Sequence, residues 1–230
     1  MRLTPIVVLL AAGLGCQSDV EKGRAVPASV AAAPVSRAAT TTATTTTTAR
    51  VRSTSLIGAI VAREPAARLL EIIAAGADVN DRGGARSTAL YFAAGSPEYY
   101  RQPMLPVVRA MVERGADVKA RCIGGFTALH SACERGSPDV VAYLISKGAD
   151  ANAKDDSGIT PMHMAAGRED LSVDREDQMT IIRFLVTHGA ELNAVDDHGE
   201  TPRDWAARAV WDASADVLIG ELGGKYHAGR

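Results

Sequence analysis

Few residues in this 230-residue chain have types and spacings that could do chemistry: five histidines, three cysteines and some clustered acids. His198 follows Asp196-Asp197, an arrangement that offers ligands to a weak metal patch but equally suits a solvated loop tip. His188 precedes a glycine, where a basic side chain favours the negative end of a helix. The acidic stretch from Glu169 to Asp177 lacks the ligand spacing and turn glycine of a calcium loop. No serine lies in a nucleophile-elbow sequence, and no phosphate-cradling glycine loop occurs. Cys16, Cys122 and Cys133 are too few for a disulfide scaffold or a cysteine-only zinc site. No catalytic residue, metal or cofactor is therefore expected, and the elements that carry these residues must serve binding.

Composition sets the frame for those elements. Hydrophobic residues make up 47% and charged residues 23%, with 25 basic against 27 acidic side chains and a net charge of −2. Such a balance gives no general attraction to nucleic acid or to a membrane surface. Aromatics stand at 4%, so the core must be built mainly from Ala, Leu, Ile and Val.

The chain divides into unlike segments. Arg2 and the apolar run Ile6 to Leu14 are too short to cross a bilayer, which needs roughly 20 residues, and read as an export signal. Cys16 directly after this run resembles the lipidated cysteine of a bacterial lipoprotein signal, although Gly13 stands where leucine is usual. An ordinary cleaved signal with an incidental cysteine is the other reading. For a lipoprotein, Gln17 rather than Asp after the cysteine favours the outer membrane in enteric-type sorting. Residues 17–52 are rich in Ala, Thr and Pro, and Thr40 to Thr48 holds eight threonines and one alanine. Without large apolar side chains at a regular period, this stretch cannot offset its ordering entropy and is expected to be a disordered tether. A coil of that length spans roughly 35 Å.

From residue 53 onward the sequence repeats itself. Gly-Ala-Asp or Gly-Ala-Glu recurs at Gly76, Gly115, Gly148 and Gly189, and twelve residues after each glycine comes Thr88, Thr127, Thr160 or Thr201. Both series step by 39, 33 and 41. The third unit reads Thr127-Ala128-Leu129-His130-Ser131-Ala132, then Gly136, Val140-Val141, Leu144 and Gly148-Ala149-Asp150-Ala151-Asn152, and the next opens Thr160-Pro161-Met162-His163. A period of 33 with these marks resembles the ankyrin-repeat family over roughly residues 53 to 223.

The resemblance implies an all-α fold, a solenoid of stacked helix-turn-helix units with short β-hairpin-like fingers, built from four to five repeats. In such a fold the threonine caps the first helix, Pro161 and Pro202 occupy first-turn positions, and His130 and His163 tie the first helix to adjacent backbone. Ala132, Ala165 and Ala206 let helices approach closely, while Val141, Leu144, Ile182 and Leu185 fill the layer between repeats. Ser55 stands in for the first threonine, giving an amino-terminal cap. The last unit ends Leu222-Gly223-Gly224 rather than with a full mark, giving a carboxy-terminal cap and a frayed tail over 225–230. The domains expected are therefore 1–16 signal, 17–52 tether, 53–224 repeats and 225–230 tail. The longer steps place insertions between helices at Tyr99 to Pro103 and at Glu169 to Asp177, as tolerated loops or as functional ones. Cys133 is expected buried and Cys122 exposed on a finger, with a disulfide between them as the lesser alternative.

Repeat stacks of this kind present a concave face of finger tips and first helices. Distance from each threonine places Ile123, Phe126, Asp156, Ile159, Asp197, His198 and Glu200 on successive fingers, and Arg63, Glu134, Arg135 and Arg168 on the neighbouring helix surface. The apolar trio Ile123, Phe126 and Ile159 suggests a protein partner, the alternative being that Phe126 and Ile159 pack against a neighbouring finger. Residues 148–230 carry 8 basic and 16 acidic side chains, so a partner with a basic patch would be steered to that end, and nucleic acid is disfavoured. The reading is a monomeric, exported protein-interaction module, anchored in the envelope through Cys16 as a scaffold or adaptor. The alternative is a periplasmic inhibitor or immunity protein that blocks a cell-envelope hydrolase or toxin.

Overall fold

The structure, a computed structural model, describes residues 55–83, 86–95, 104–135, 137–167, 175–208 and 214–227. The signal with Cys16, the tether, Arg168, the insertion at Tyr99 to Pro103 and residues 169–174 lie outside them. The described residues form five helix pairs: α1 (Leu56–Val61) and α2 (Ala66–Ala74), α3 (Ala89–Ala94) and α4 (Leu105–Glu113), α5 (Ala128–Arg135) and α6 (Pro138–Ser146), α7 (Pro161–Ala166) and α8 (Arg175–Thr187), α9 (Pro202–Arg208) and α10 (Ser214–Glu221). Among them no strand forms beyond the single Arg82–Thr88 bridge, and no helix is long and apolar enough to cross a membrane.

Nine of these helices have six to nine residues, below the roughly 12 at which an isolated helix becomes even marginal in water. Each is held by its pair and by the adjoining repeats. The first helices pack in one row, α1 on α3, α3 on α5, α5 on α7 and α7 on α9, and the second helices form a parallel row from α2 to α10. Ala59, Ala93, Ala132, Ala165 and Ala206 are all fully buried in the first row, the small side chains that the close approach requires. Leu69, Ile73, Met111, Leu144, Ile181, Ile182 and Leu185 fill the second row. Each such side chain stabilises by about 1.5–3 kcal/mol relative to exposure. Part of the second insertion is helix rather than loop: Arg175 to Asp177 open the 13-residue α8, with Glu176 and Asp177 in its first turn, where carboxylates face the positive end of the helix dipole.

Register between repeats is fixed by two ladders of side chain to backbone hydrogen bonds. Asn80 donates to the Gly115 carbonyl at 2.8 Å and accepts the Asp117 N–H at 2.9 Å. Asn152 does the same with Gly189 and Glu191, at 2.9 and 2.8 Å. The second ladder is cationic. Arg82 donates to the Arg121 carbonyl at 3.0 Å, Arg121 to that of Lys154 at 2.7 Å, and Lys154 to that of Val195 at 3.2 Å. These four residues are separated by the same steps of 39, 33 and 41 as the threonines.

The amino-terminal cap departs from expectation in one respect. Ser55 does not cap α1 through its hydroxyl, which donates instead to Asp81 at 3.1 Å. The carboxy-terminal end departs further. Gly223 has φ +96°, close to the +88° of Gly148, both left-handed turns that end a helix and favour glycine. Gly224 donates to the Ile219 carbonyl as Ala190 does to that of Leu185, and the Lys225 N–H reaches Asn193 Oδ1 as that of Glu191 reaches Asn152. Gly223-Gly224-Lys225 is therefore a complete fifth mark, contrary to the incomplete ending read from sequence.

Nor is the tail frayed as far as it is described. The Thr201 hydroxyl shares its one proton between the Lys225 carbonyl at 2.6 Å and the Asp204 carboxylate at 2.7 Å, and the His227 N–H donates to Asp204 at 2.7 Å. Tyr226 donates its hydroxyl to Asp216 while its ring lies 4.1 Å beneath the Arg203 guanidinium. Ending the chain after Gly224 removes the ties made by Lys225, Tyr226 and His227, several bonds at roughly 1 kcal/mol each. Urea unfolding should show a loss of about 2–4 kcal/mol; a frayed tail would leave the midpoint unchanged.

Candidate functional site

Three fingers with equivalent geometry can be followed residue by residue. Each closes with one backbone bond, Cys122 N–H to Phe126 at 2.7 Å, Asp155 to Ile159 at 2.9 Å and Asp196 to Glu200 at 3.0 Å. Successive tips are also joined, the Asp156 N–H to the Gly124 carbonyl and the Asp197 N–H to that of Ser157, both at 2.9 Å. Asp155 braces its own turn through Oδ1, which accepts the N–H groups of Ser157 and Ile159. Asp196 repeats this with His198 and Glu200 and takes the Trp205 indole N–H on Oδ2. Burial alone would raise the Asp196 carboxyl, but the Glu200, Trp205 and His198 donors outweigh it and hold the group below its ordinary range. Asp196 is buried, and its carboxylate is committed to these donors. Among the described residues no group of His, Cys, Asp and Glu is arranged to hold a metal.

Beneath the fingers lie the two imidazoles. His130 Nδ1 accepts both the N–H and the hydroxyl of Thr127, at 3.2 and 2.9 Å, so Nε2 carries the proton and donates to the Ile159 carbonyl of the next finger at 3.1 Å. His163 links Thr160 to the Glu200 carbonyl in the same way. Desolvation lowers the pKa of both below the ordinary 6.5, consistent with neutral, buried rings. In the last repeat Asp204 takes the histidine position and accepts the Thr201 N–H and hydroxyl.

Cys122 occupies the position of Asp155 and Asp196, as the threonine spacing shows, and shares their burial. It is only 8% exposed, so the expectation of a solvent-facing thiol is corrected. The finger backbone turns this position inward, and the Thr88 N–H of the preceding repeat donates to its sulfur at 3.4 Å. This finger turns through Gly124 and Gly125, at φ +72° and +80°, where the other two carry one left-handed glycine each, Gly158 at +76° and Gly199 at +77°. A Cβ at Gly125 would lie 2.4 Å from the Arg121 guanidinium and from the Asp156 carboxylate, which pair across it. Cys133 is buried as expected, and no disulfide joins it to Cys122.

The expected site residues fall into distinct settings. Ile123, Asp156 and Asp197 hold equivalent tip positions and are all exposed, Ile123 at 64%. Gly124, Ser157 and His198 form the next equivalent set, with the His198 ring exposed. Phe126 is half-buried, edge-on to His130 with ring centroids 5.7 Å apart and pressed against Gly124. It therefore packs on its own repeat, matching neither a freely offered side chain nor contact with the adjacent finger. Ile159 is half-buried as well. Glu200 pairs with Arg208 at 2.7 Å, and Glu134 lies 3.7 Å from Arg135 in the last turn of α5. Arg63 sits not on a helix surface but in the turn after α1, at φ +64°.

Sequence reasoning missed Arg121, which joins Asp156 at 2.9 Å and carries a ladder rung, and Trp205, which stands edge-on to His163 beneath Arg208. The recurrence of a basic residue at 82, 121 and 154 was the available signal for the first. Trp205 had no repeat equivalent to mark it.

Comparison with protein families matches residues 57–155 to a model of three ankyrin repeats and residues 157–197 to a further ankyrin repeat. No curated protein matches the chain.

The neutral imidazoles make stability depend on pH. Because folding lowers their pKa, the unfolded chain binds protons that the folded chain refuses once the pH drops below about 6.5. Stability is full above that value and declines below it, down to the folded pKa. Urea midpoints at pH 7.5 and 5.5 should fall accordingly, and His163→Asn should reduce the difference between them. An unchanged difference would overturn the assignment of His163 as neutral.

Proposed function

The chain belongs to the ankyrin-repeat family, and from that premise we propose that its finger row is the docking face for a partner protein. Ankyrin repeats make it a protein–protein interaction module. The observation that carries the finer reading is the set of equivalent exposed tips: Ile123, Asp156 and Asp197 project from backbone that is hydrogen-bonded from finger to finger. Such a row offers different side chains at fixed spacing and requires little ordering when a partner docks. Its chemistry is graded. The apolar Ile123 stands at one end and Asp197 and His198 at the other, while Asp156 is already neutralised by Arg121. A matching partner presents an apolar knob beside a basic patch.

The same reading places the module in the cell envelope as a scaffold or adaptor, held by a lipid on Cys16 at the end of a tether long enough to clear the surface. It is a binding protein without catalysis. Two measurements test these parts separately. Affinity capture from envelope extract should retain one dominant partner on the purified chain, weakened at least tenfold by Ile123→Glu with Asp197→Lys. Because both positions are exposed, the fold should stay intact, and retention of the partner at full strength would move the docking face elsewhere. Cys16→Ser should shift the chain from the membrane to the soluble fraction, whereas an unchanged distribution would remove the lipid anchor.

A further inference from the structure

We propose a second binding site, at the joint between the second and third repeats, that takes an extended segment of a partner protein through an Asn or Gln side chain flanked by a carboxylate. It lies at the finger bases and is independent of the finger-tip reading.

The internal repeats define the chemistry. Four residues after each mark glycine stand Asn80, Lys119, Asn152 and Asn193. The Asn80 and Asn152 amides each donate to a glycine carbonyl and accept an N–H two residues further along the next mark, and Asn193 accepts the equivalent N–H of Lys225. A carboxamide suits this place because it sets a donor beside an acceptor. An ammonium group donates but cannot accept. At the Lys119 step the rung is accordingly missing: among the described residues, the Gly148 carbonyl and the Asp150 N–H have no partner, and Lys119 has no ion pair.

A groove of about 450 Å³ lies there, lined by Val118, Lys119, Arg121, Asp150, Asn152 and Lys154. Its size falls within the roughly 300–1,000 Å³ of ligand clefts. An amide placed at the Asp150 edge of the groove, against the neighbouring Gly148 carbonyl, would reproduce the bonds that Asn80 and Asn152 make. The groove also fixes the charge of what flanks that amide. Arg121 and Lys154 donate to carbonyls of the next repeat, so the Lys119 ammonium is the cation left to meet an incoming carboxylate. Asp150, whose Oδ1 accepts the Asn152 N–H, repels acid at the other end. The occupant is thus a segment with Asn or Gln seated at Asp150 and Asp or Glu a residue or two away, over Lys119.

The test selects phage-displayed seven-residue peptides on the purified full chain. Selected peptides should share Asn or Gln with an acidic residue within two positions, and the best of them should shift the Asp150 amide resonance. Lys119→Asn, which supplies the rung from within, should weaken these peptides at least tenfold while raising the thermal midpoint. Lys119→Ala should keep carboxamide recognition and lose the acidic preference, with about a threefold drop in affinity. Selection without a carboxamide consensus, or peptides that bind Lys119→Asn undiminished, would overturn the site. Peptides lost with Ile123→Glu occupy the finger row and would also overturn it. Self-association of the chain that Lys119→Asn abolishes would assign the amide to a second copy and overturn the partner.

Discussion

A helix of six or nine residues cannot support itself in water, and nearly every helix in this domain is that short. The structure follows from this constraint. Each helix must pack against its pair and against an adjoining helix of its own row, so the spacing of neighbours is set by side-chain size at the contacts: alanine along the first helices, Leu, Ile, Val and Met along the second. Hydrophobic burial supplies the attraction but little specificity of register, because it has no direction. Direction comes from the polar bonds between repeats, which recur at the same spacing though not at every joint.

Three kinds of polar link do that work. The buried imidazoles join one repeat's threonine to the next finger, the asparagines join successive helix-ending turns, and the arginine and lysine side chains join successive finger bases. All three run from one repeat to the next in the same sense along the chain. The first and last repeats show what happens where that sense runs out. Ser55 turns to Asp81 in place of a cap, and at the other end Asp204 replaces the histidine and accepts the His227 N–H from the chain's own continuation. The finger row inherits its rigidity from these links, which is why its exposed side chains can be read as a fixed surface.

Much of this was legible in the sequence because periodicity survives even where individual residues vary. The steps between threonines marked the repeat boundaries, and the family resemblance they carry implied the small residues of the first helices and the imidazole links. What escaped were features whose residue type changes while the geometry persists. Gly223-Gly224-Lys225 lacks the alanine and acid of its equivalents, yet the turn needs only a left-handed glycine, a small buried neighbour and an N–H. Cys122 stands where other fingers carry aspartate, so its side chain was assigned to the surface although the backbone directs that position inward. Phe126 was read by exposure along a finger, whereas its ring folds back over a histidine whose place only the tertiary structure reveals. The ladder of Arg82, Arg121 and Lys154 looked like scattered surface charge, because a cation's partner is here a carbonyl, which leaves no mark in sequence.

A stack whose neighbours touch only each other behaves mechanically as a series of joints, and a series yields at its weakest member. The joints here are unequal. Where Asn80 and Asn152 rivet adjoining repeats, Lys119 leaves one fastening out. A domain uniform in architecture is thus fastened unevenly along its length, one joint relying for its polar links on the buried imidazole, the cationic ladder and the finger tips.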